Sequence, residues 1–117
     1  MASRREEQQE NARLQVMRLL SHNPEISTRA LADAVRISNG SAYYVLKALV
    51  DKGFVKLESF RNNPQKGRYV YLLTPKGIRE KSLLTKRFIK RKRVEFKMLQ
   101  AEIEALEEEV GSAHPTH

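Results

Sequence analysis

The apolar side chains in the first half of the chain recur every three or four residues, which is the period of amphipathic helices. Ser27 and Ser38 precede two such stretches as suitable N-caps, and Gly53 suits the position just after a helix. The pattern predicts three helices, over residues 6–22, 28–35 and 39–52. The side chains expected to face inward are Ala12, Val16, Leu19 and Leu20 in the first helix, Ala30, Leu31, Ala34 and Val35 in the second, and Ala42, Val45, Leu46 and Leu49 in the third.

Beyond Gly53 the apolar period falls to two, which is typical of β-strands. Residues 54–60 and 68–74 both alternate, and a polar stretch between them predicts a β-hairpin. Pro75 then opens a final helix that extends to about residue 110, roughly 50 Å at 1.5 Å per residue.

The order of elements is helix, helix, helix, hairpin, long helix. It predicts a mainly α (α+β) fold, a winged helix-turn-helix with a two-stranded β wing and a long C-terminal helix. We expect a winged-helix domain over residues 1–75, the long helix over 76–110 and a disordered tail over 111–117. A length of 117 residues fits one domain with an extension.

Charge is unevenly distributed along the chain, whose formal net charge is +8. Residues 76–98 carry ten basic and two acidic side chains, whereas residues 99–117 carry five acidic and no basic ones. Strong positive charge favours a polyanionic partner such as DNA, RNA or an anionic membrane. No apolar run is long enough to span a bilayer, and no secretory signal follows the N-terminus, so we expect a cytoplasmic protein without a membrane partner.

The sequence offers little for catalysis or metal binding. It has no cysteine, which excludes disulfides and thiolate metal sites. Its three histidines, His22, His114 and His117, stand near a helix end or in the tail, and no nucleophile–base pair or phosphate-binding glycine loop is evident. We therefore expect no enzyme activity, catalytic residue, cofactor or metal.

The third predicted helix buries one side and leaves small and polar side chains on the other. Such a face suits insertion into a DNA major groove, where hydroxyl, amide and amino groups contact base edges or phosphates. An ordinary solvated face is the alternative, and for Tyr43 partial packing in the core is an equally good interpretation. The candidate DNA-binding residues are Ser38, Asn39, Gly40, Ser41, Tyr43, Tyr44 and Lys47.

The tip of the predicted hairpin is basic and polar. A loop of this kind on a stiff hairpin can follow phosphates or enter a minor groove, although turns are usually polar for other reasons. The candidate wing residues are Arg61, Asn62, Asn63, Lys66 and Arg68. A second basic run, over residues 86–93, has cations on every side of its helix. It is a solvated segment, or part of it contacts phosphates, or part of it contacts acidic groups of a partner.

The last helix ends in an apolar seam with the spacing of a coiled coil. Its candidate dimerisation residues are Ile89, Phe96, Leu99, Ile103, Leu106 and Val110. An antiparallel pair of such helices would place Lys86 near the partner's Glu109 and Phe96 against the partner's Leu99. We therefore expect a homodimer with antiparallel C-terminal helices, and packing of the seam on its own domain is the alternative.

Several segments resemble known regulators. Residues 46–55 (LKALVDKGFV) and 71–78 (YLLTPKGI) are similar to the exits of the third helix and the wing in MarR-type winged-helix regulators. More narrowly, four segments resemble the short MarR-like regulators associated with bacterial exopolysaccharide genes: residues 23–27 (NPEIS), 60–63 (FRNN), 69–77 (YVYLLTPKG) and 84–92 (LTKRFIKRK). This resemblance implies a winged-helix fold, a bacterial source and a role in exopolysaccharide expression.

Together these features predict a sequence-specific double-stranded DNA-binding transcriptional regulator that acts as a homodimer. A winged-helix protein-interaction adaptor and a non-specific nucleic-acid-binding protein are the alternatives, because a fold does not determine a function.

Overall fold

The computed structural model of the chain describes residues 3–59 and 69–113. In chain order its elements are α1 (Arg4–His22), α2 (Thr28–Val35), α3 (Asn39–Asp51), β1 (Val55–Ser59), β2 (Tyr69–Leu73) and α4 (Pro75–Ala113). The two strands pair antiparallel as a wing. This architecture confirms the predicted winged helix-turn-helix. The chain forms two compact units, Met1–Thr85 and Lys86–His117, and α4 contributes to both.

Local sequence determines where the first three helices begin and end. The Ser27 hydroxyl accepts a hydrogen bond from the Ala30 amide at 3.1 Å, and the Ser38 hydroxyl accepts one from the Ser41 amide at 3.0 Å, as N-caps do. Gly53 follows α3 with φ of 77°, which a glycine adopts without strain. These predicted caps are confirmed.

Helix α1 starts two residues before the predicted position. Ser3 and Glu6 form a reciprocal capping box, in which each side chain accepts a hydrogen bond from the other residue's backbone amide. The box satisfies two amide donors at the helix start, so the helix extends back to Arg4.

The hydrophobic core lies in the first unit, between the three short helices, the wing and the start of α4. Its buried members are Leu14, Val16, Met17, Leu20, Leu31, Ala32, Ala42, Leu46, Leu49, Phe54, Val55, Val70 and Leu84. Helix α1 contacts α2, α3 and β2, and α3 also contacts β1. Because it is surrounded on several sides, α1 buries a wider face than a single stripe.

The predicted inward faces are wrong at Ala30 and Ala34, and they did not include the buried Leu14 and Ala32. Leu14 is buried in α1, whereas Ala12 is only half-buried. In α2 the buried alanine is Ala32, and Ala30 and Ala34 are exposed. Three alanines in eight residues give no difference in size or polarity from which to place the apolar face, so only contact with α1 and α3 decides it.

The start of α4 is fastened to the base of the wing. The Thr74 hydroxyl donates a hydrogen bond to the Gly53 carbonyl at 2.6 Å and accepts one from the Gly77 amide at 3.0 Å. A Cβ atom at position 77 would overlap the Phe54 carbonyl oxygen. Glycine therefore permits a close approach of helix and strand that no other residue allows.

The second unit has no buried residue within its described part, Lys86 to Ser112. Helix α4 continues to Ala113, so the first three residues of the predicted tail are helical. Residues 60–68, which include the predicted wing tip, lie outside the described residues.

Candidate nucleic-acid interface

Helix α3 presents all of its predicted DNA-binding residues at the surface. Its buried side consists of Ala42, Leu46 and Leu49. The seven candidates, Ser38, Asn39, Gly40, Ser41, Tyr43, Tyr44 and Lys47, are all exposed. Tyr44 is 74% accessible and Tyr43 is 61% accessible, so neither ring is part of the core. Within the first unit this polar face is open to a partner.

The N-terminal turn of α3 is fixed by its own side chains. In addition to capping the helix, the Ser38 hydroxyl donates a hydrogen bond to the Ser41 hydroxyl at 2.8 Å. No atom lies within 4 Å of a Cβ built on Gly40, so a partner's surface has free access to the backbone there. Amides in the first turn have no acceptor within the helix and favour anions. The turn is therefore both rigid and accessible.

Tyrosines line the side of α3 that faces the wing. Partial burial raises the pKa of Tyr71 in β2, and the neighbouring Tyr43 and Tyr69 phenols raise it further. A recess of about 410 Å³ lies at the start of α2 and includes Tyr69 and Tyr71. The residues that line this recess include these two tyrosines and Glu25.

The opposite flank of α3 is a groove shared with the N-terminal half of α1. Its volume is about 840 Å³. It is lined by Gln9, Ala12, Arg13, Ser38, Gly40, Ser41, Tyr44, Val45, Ala48 and Lys52. Gln9 and Arg13 are not among the predicted site residues, because they become neighbours of α3 only when the helices pack. Their spacing of four residues on α1 is the single signal the sequence holds for them.

The base of the wing carries exposed cations. The Lys76 ammonium lies 5.1 Å from the centroid of the Phe54 ring and donates a hydrogen bond to the Lys52 carbonyl at 3.0 Å. Lys56 pairs with Glu58 at 3.0 Å across exposed positions. The five candidate residues of the wing tip, Arg61, Asn62, Asn63, Lys66 and Arg68, lie outside the described residues.

The second unit exposes the predicted dimerisation seam along α4. All six of its side chains, Ile89, Phe96, Leu99, Ile103, Leu106 and Val110, are exposed. Phe96 is the most accessible of them, at 65%. A shallow recess of about 270 Å³ between Phe96, Leu99 and Ile103 also touches Glu104 and Glu107. The apolar side of this helix has no partner within the described part of the unit.

No group of three His, Cys, Asp or Glu side chains among the described residues could hold a metal ion. None of the helices in residues 3–59 and 69–113 combines the length and apolar character that a bilayer crossing requires.

Comparison with known proteins gives one sequence match and a consistent set of structural neighbours. Residues 9–56 match a family described as winged helix-turn-helix DNA-binding. No curated protein matches the sequence significantly. The matched segment contains α2, α3 and most of α1, which are the elements that build the exposed polar face.

Solved structures of three bacterial regulators share the fold. The PcaV regulator of Streptomyces coelicolor is 23% identical, with 86% of this chain and 73% of that chain covered and a TM-score of 0.63. MarR of E. coli is 20% identical, with 89% of this chain and 77% of that chain covered and a TM-score of 0.63. The adhesin competence repressor of Streptococcus pyogenes is 21% identical, with 87% of this chain and 77% of that chain covered and a TM-score of 0.62. The protein thus has the fold of these regulators, and its residues 9–56 are similar to a winged helix-turn-helix DNA-binding family.

Proposed function

We propose that the protein is a transcriptional regulator that binds a specific sequence of double-stranded DNA as a homodimer in the cytoplasm. One observation carries the proposal: the polar side of α3 is open, within a segment that matches a DNA-binding family. A face built for the core or for a subunit contact would show apolar side chains there, and α3 shows serine, glycine, asparagine, tyrosine and lysine instead.

Recognition begins at the rigid N-terminal turn of α3. When the helix lies in a major groove, Asn39 and Ser41 are placed to contact base edges, because recognition helices use their N-terminal residues for this. Lys47 is placed two turns further along for a phosphate. The wing residues Arg61 and Arg68 would contact the adjacent backbone. The bases would thus be contacted from one turn, with phosphates on either side of it.

Dimerisation is proposed for the second unit. A single helix that exposes a continuous apolar seam needs another surface to cover it. An antiparallel partner helix centred between Lys97 and Met98 would cover the seam and place the basic segment 86–93 beside the acidic segment 102–109. A parallel partner would bring basic against basic and acidic against acidic. Charge therefore favours the antiparallel arrangement.

A dimer with two-fold symmetry would favour an inverted-repeat site, with half-sites about 10 base pairs apart or a multiple of that. Repression by occupying a promoter is the simplest output. The proposed target class, exopolysaccharide genes, rests on the sequence resemblance of residues 23–27, 60–63, 69–77 and 84–92 alone. Mapping the sites that the protein occupies on its own genome tests it, and an absence of such genes among the targets would contradict it.

The test of DNA recognition is selection of duplexes from a random pool by the purified full-length chain. We expect one enriched inverted repeat that outcompetes bulk duplex by at least about 10³-fold. Lys47→Ala should weaken binding to that repeat, whereas Arg18→Ala, an equal loss of charge on an exposed part of α1, should not. Equal affinity for all duplexes would indicate non-specific binding, and no affinity for any would favour an adaptor role.

A further inference from the structure

We propose that the groove between α1 and α3 holds a phosphate of the DNA backbone, and that Arg13 is the residue that binds it. This proposal rests on the proposed DNA binding and adds a contact outside α3 and the wing. It assigns to α1, which otherwise serves as a core helix, a direct part in the interface.

The chemistry of the groove suits an anion with several oxygen atoms. Arg13 and Lys52 are the charged side chains that line it, and no carboxylate does. Ser38, Ser41 and Tyr44 add hydroxyl groups, and Gln9 adds an amide. All of these side chains donate hydrogen bonds, and an arginine adds charge and bidentate geometry for phosphate.

Arg13 is held in the groove and does not extend freely into solvent. The residue is half-buried, and its Nε atom is buried without a hydrogen-bond partner among the described residues. Buried donors are nearly always paired, so this Nε is a donor that a bound anion can use. A phosphate bound side-on takes one N–H from Nε and one from a terminal nitrogen, and would satisfy this donor after a small movement of the side chain.

The position of the groove identifies the anion as one that belongs to DNA. Ser38, Gly40, Ser41 and Tyr44 line the groove and also belong to the exposed face of α3. When that face lies in a major groove, one of the two strands that border the DNA groove must run along this flank of α3. On the other side of α3, Tyr43 lies near Tyr71 of β2, whereas Arg13 and Lys52 line the groove on this side. The phosphate contact of the helical part is therefore expected at Arg13.

The experiment compares Arg13→Gln with Arg18→Gln in the full-length chain. Both remove one positive charge from α1, but only position 13 lines the groove. Affinity is measured between 50 and 200 mM salt for the selected duplex and for an unselected duplex of equal length. We expect Arg13→Gln to weaken both complexes by about tenfold, and to reduce the slope of log affinity against log salt by about 0.9. Arg18→Gln and Arg13→Lys should keep the wild-type slope.

Several outcomes would overturn the assignment. One is an unchanged slope in Arg13→Gln, and another is a loss confined to the selected duplex, which would indicate a base contact. If circular dichroism shows that Arg13→Gln is unfolded, Arg13→Met, which preserves the packing of the stem, replaces it with the same expected slope change. If the wild-type chain prefers no sequence, the proposed regulator fails, while the slope still decides whether Arg13 binds phosphate.

Discussion

The two units of the chain differ in whether their apolar side chains are buried or exposed. The described part of the first unit buries thirteen hydrophobic side chains between helices and wing. The second has no buried side chain in its described part and leaves a seam of leucine, isoleucine, valine and phenylalanine exposed on one helix. Since hydrophobic burial is the main favourable contribution to folding, the first unit contains what it needs for stability. The second needs a partner, and this contrast supports the assignment of DNA binding to one unit and self-association to the other.

The largest expected difference between the units comes from shortening one leucine in each. Leu49 is fully buried in α3, so Leu49→Ala is expected to lower the free energy of unfolding by about 4 kcal/mol. Leu106→Ala should change it by less than about 0.5 kcal/mol at concentrations where the chain is monomeric, and should weaken self-association instead. Urea unfolding followed by circular dichroism measures the first effect, and sedimentation measures the second. Equal losses of stability in the two variants would contradict the contrast.

Two glycines of α4 allow the packed start and the exposed end of a single helix to be compared. Gly77→Ala drives a methyl group into the Phe54 carbonyl oxygen, so the start of the helix must move, with an expected cost of about 3 kcal/mol. Gly111→Ala meets no neighbouring atom and should stabilise the helix by up to about 1 kcal/mol. Thermal unfolding of both variants is the measurement. A harmless Gly77→Ala would show that the contact between α4 and the wing is looser than described.

Reversed charges test the antiparallel pairing of the second unit. Lys86→Glu and Glu109→Lys should each weaken the dimer, by about fivefold in dissociation constant, because each places like charges together across the pair. The double variant restores opposite charges and should recover the wild-type constant. Sedimentation at low salt measures all three chains. Failure of the double variant to recover would exclude this register of the helices.

The smallest expected effect concerns Tyr71, whose pKa is raised mainly by burial and also by Tyr43 and Tyr69. Because the folded-state pKa lies above the unfolded one, the native state keeps the proton longer, and the free energy of unfolding falls as the pH rises between the two values. Tyr71→Phe should remove that part of the alkaline loss. In a titration followed by phenolate absorbance, the difference in absorbance between wild type and Tyr71→Phe should have its midpoint above the ordinary tyrosine pKa of about 10. A midpoint at or below 10 would contradict the burial.

The sequence predicted the features of this molecule that depend on residues close together along the chain. Helix starts at Ser27 and Ser38 follow from hydroxyl groups that bond three residues ahead, and the change of apolar period at Gly53 marks the passage from helix to wing. The exposure of Tyr44 and Lys47 follows in the same way from the spacing of the buried side chains in α3.

What the sequence missed depends on packing between elements. Ala32 is distinguished from Ala30 only by the helices around it. The groove with Arg13 exists only because α1 lies beside α3, and the four-residue spacing of Gln9 and Arg13 does not by itself indicate a site. Tertiary contacts therefore created the part of the candidate interface that periodicity could not show.

The central claim is that the open side of α3 meets DNA, and an NMR titration of labelled full-length protein with the selected duplex tests it most directly. We expect the largest amide shifts over residues 38–47 and at Arg13, with small shifts over residues 94–113. Shifts concentrated in the C-terminal segment, with residues 38–47 unchanged, would contradict the account.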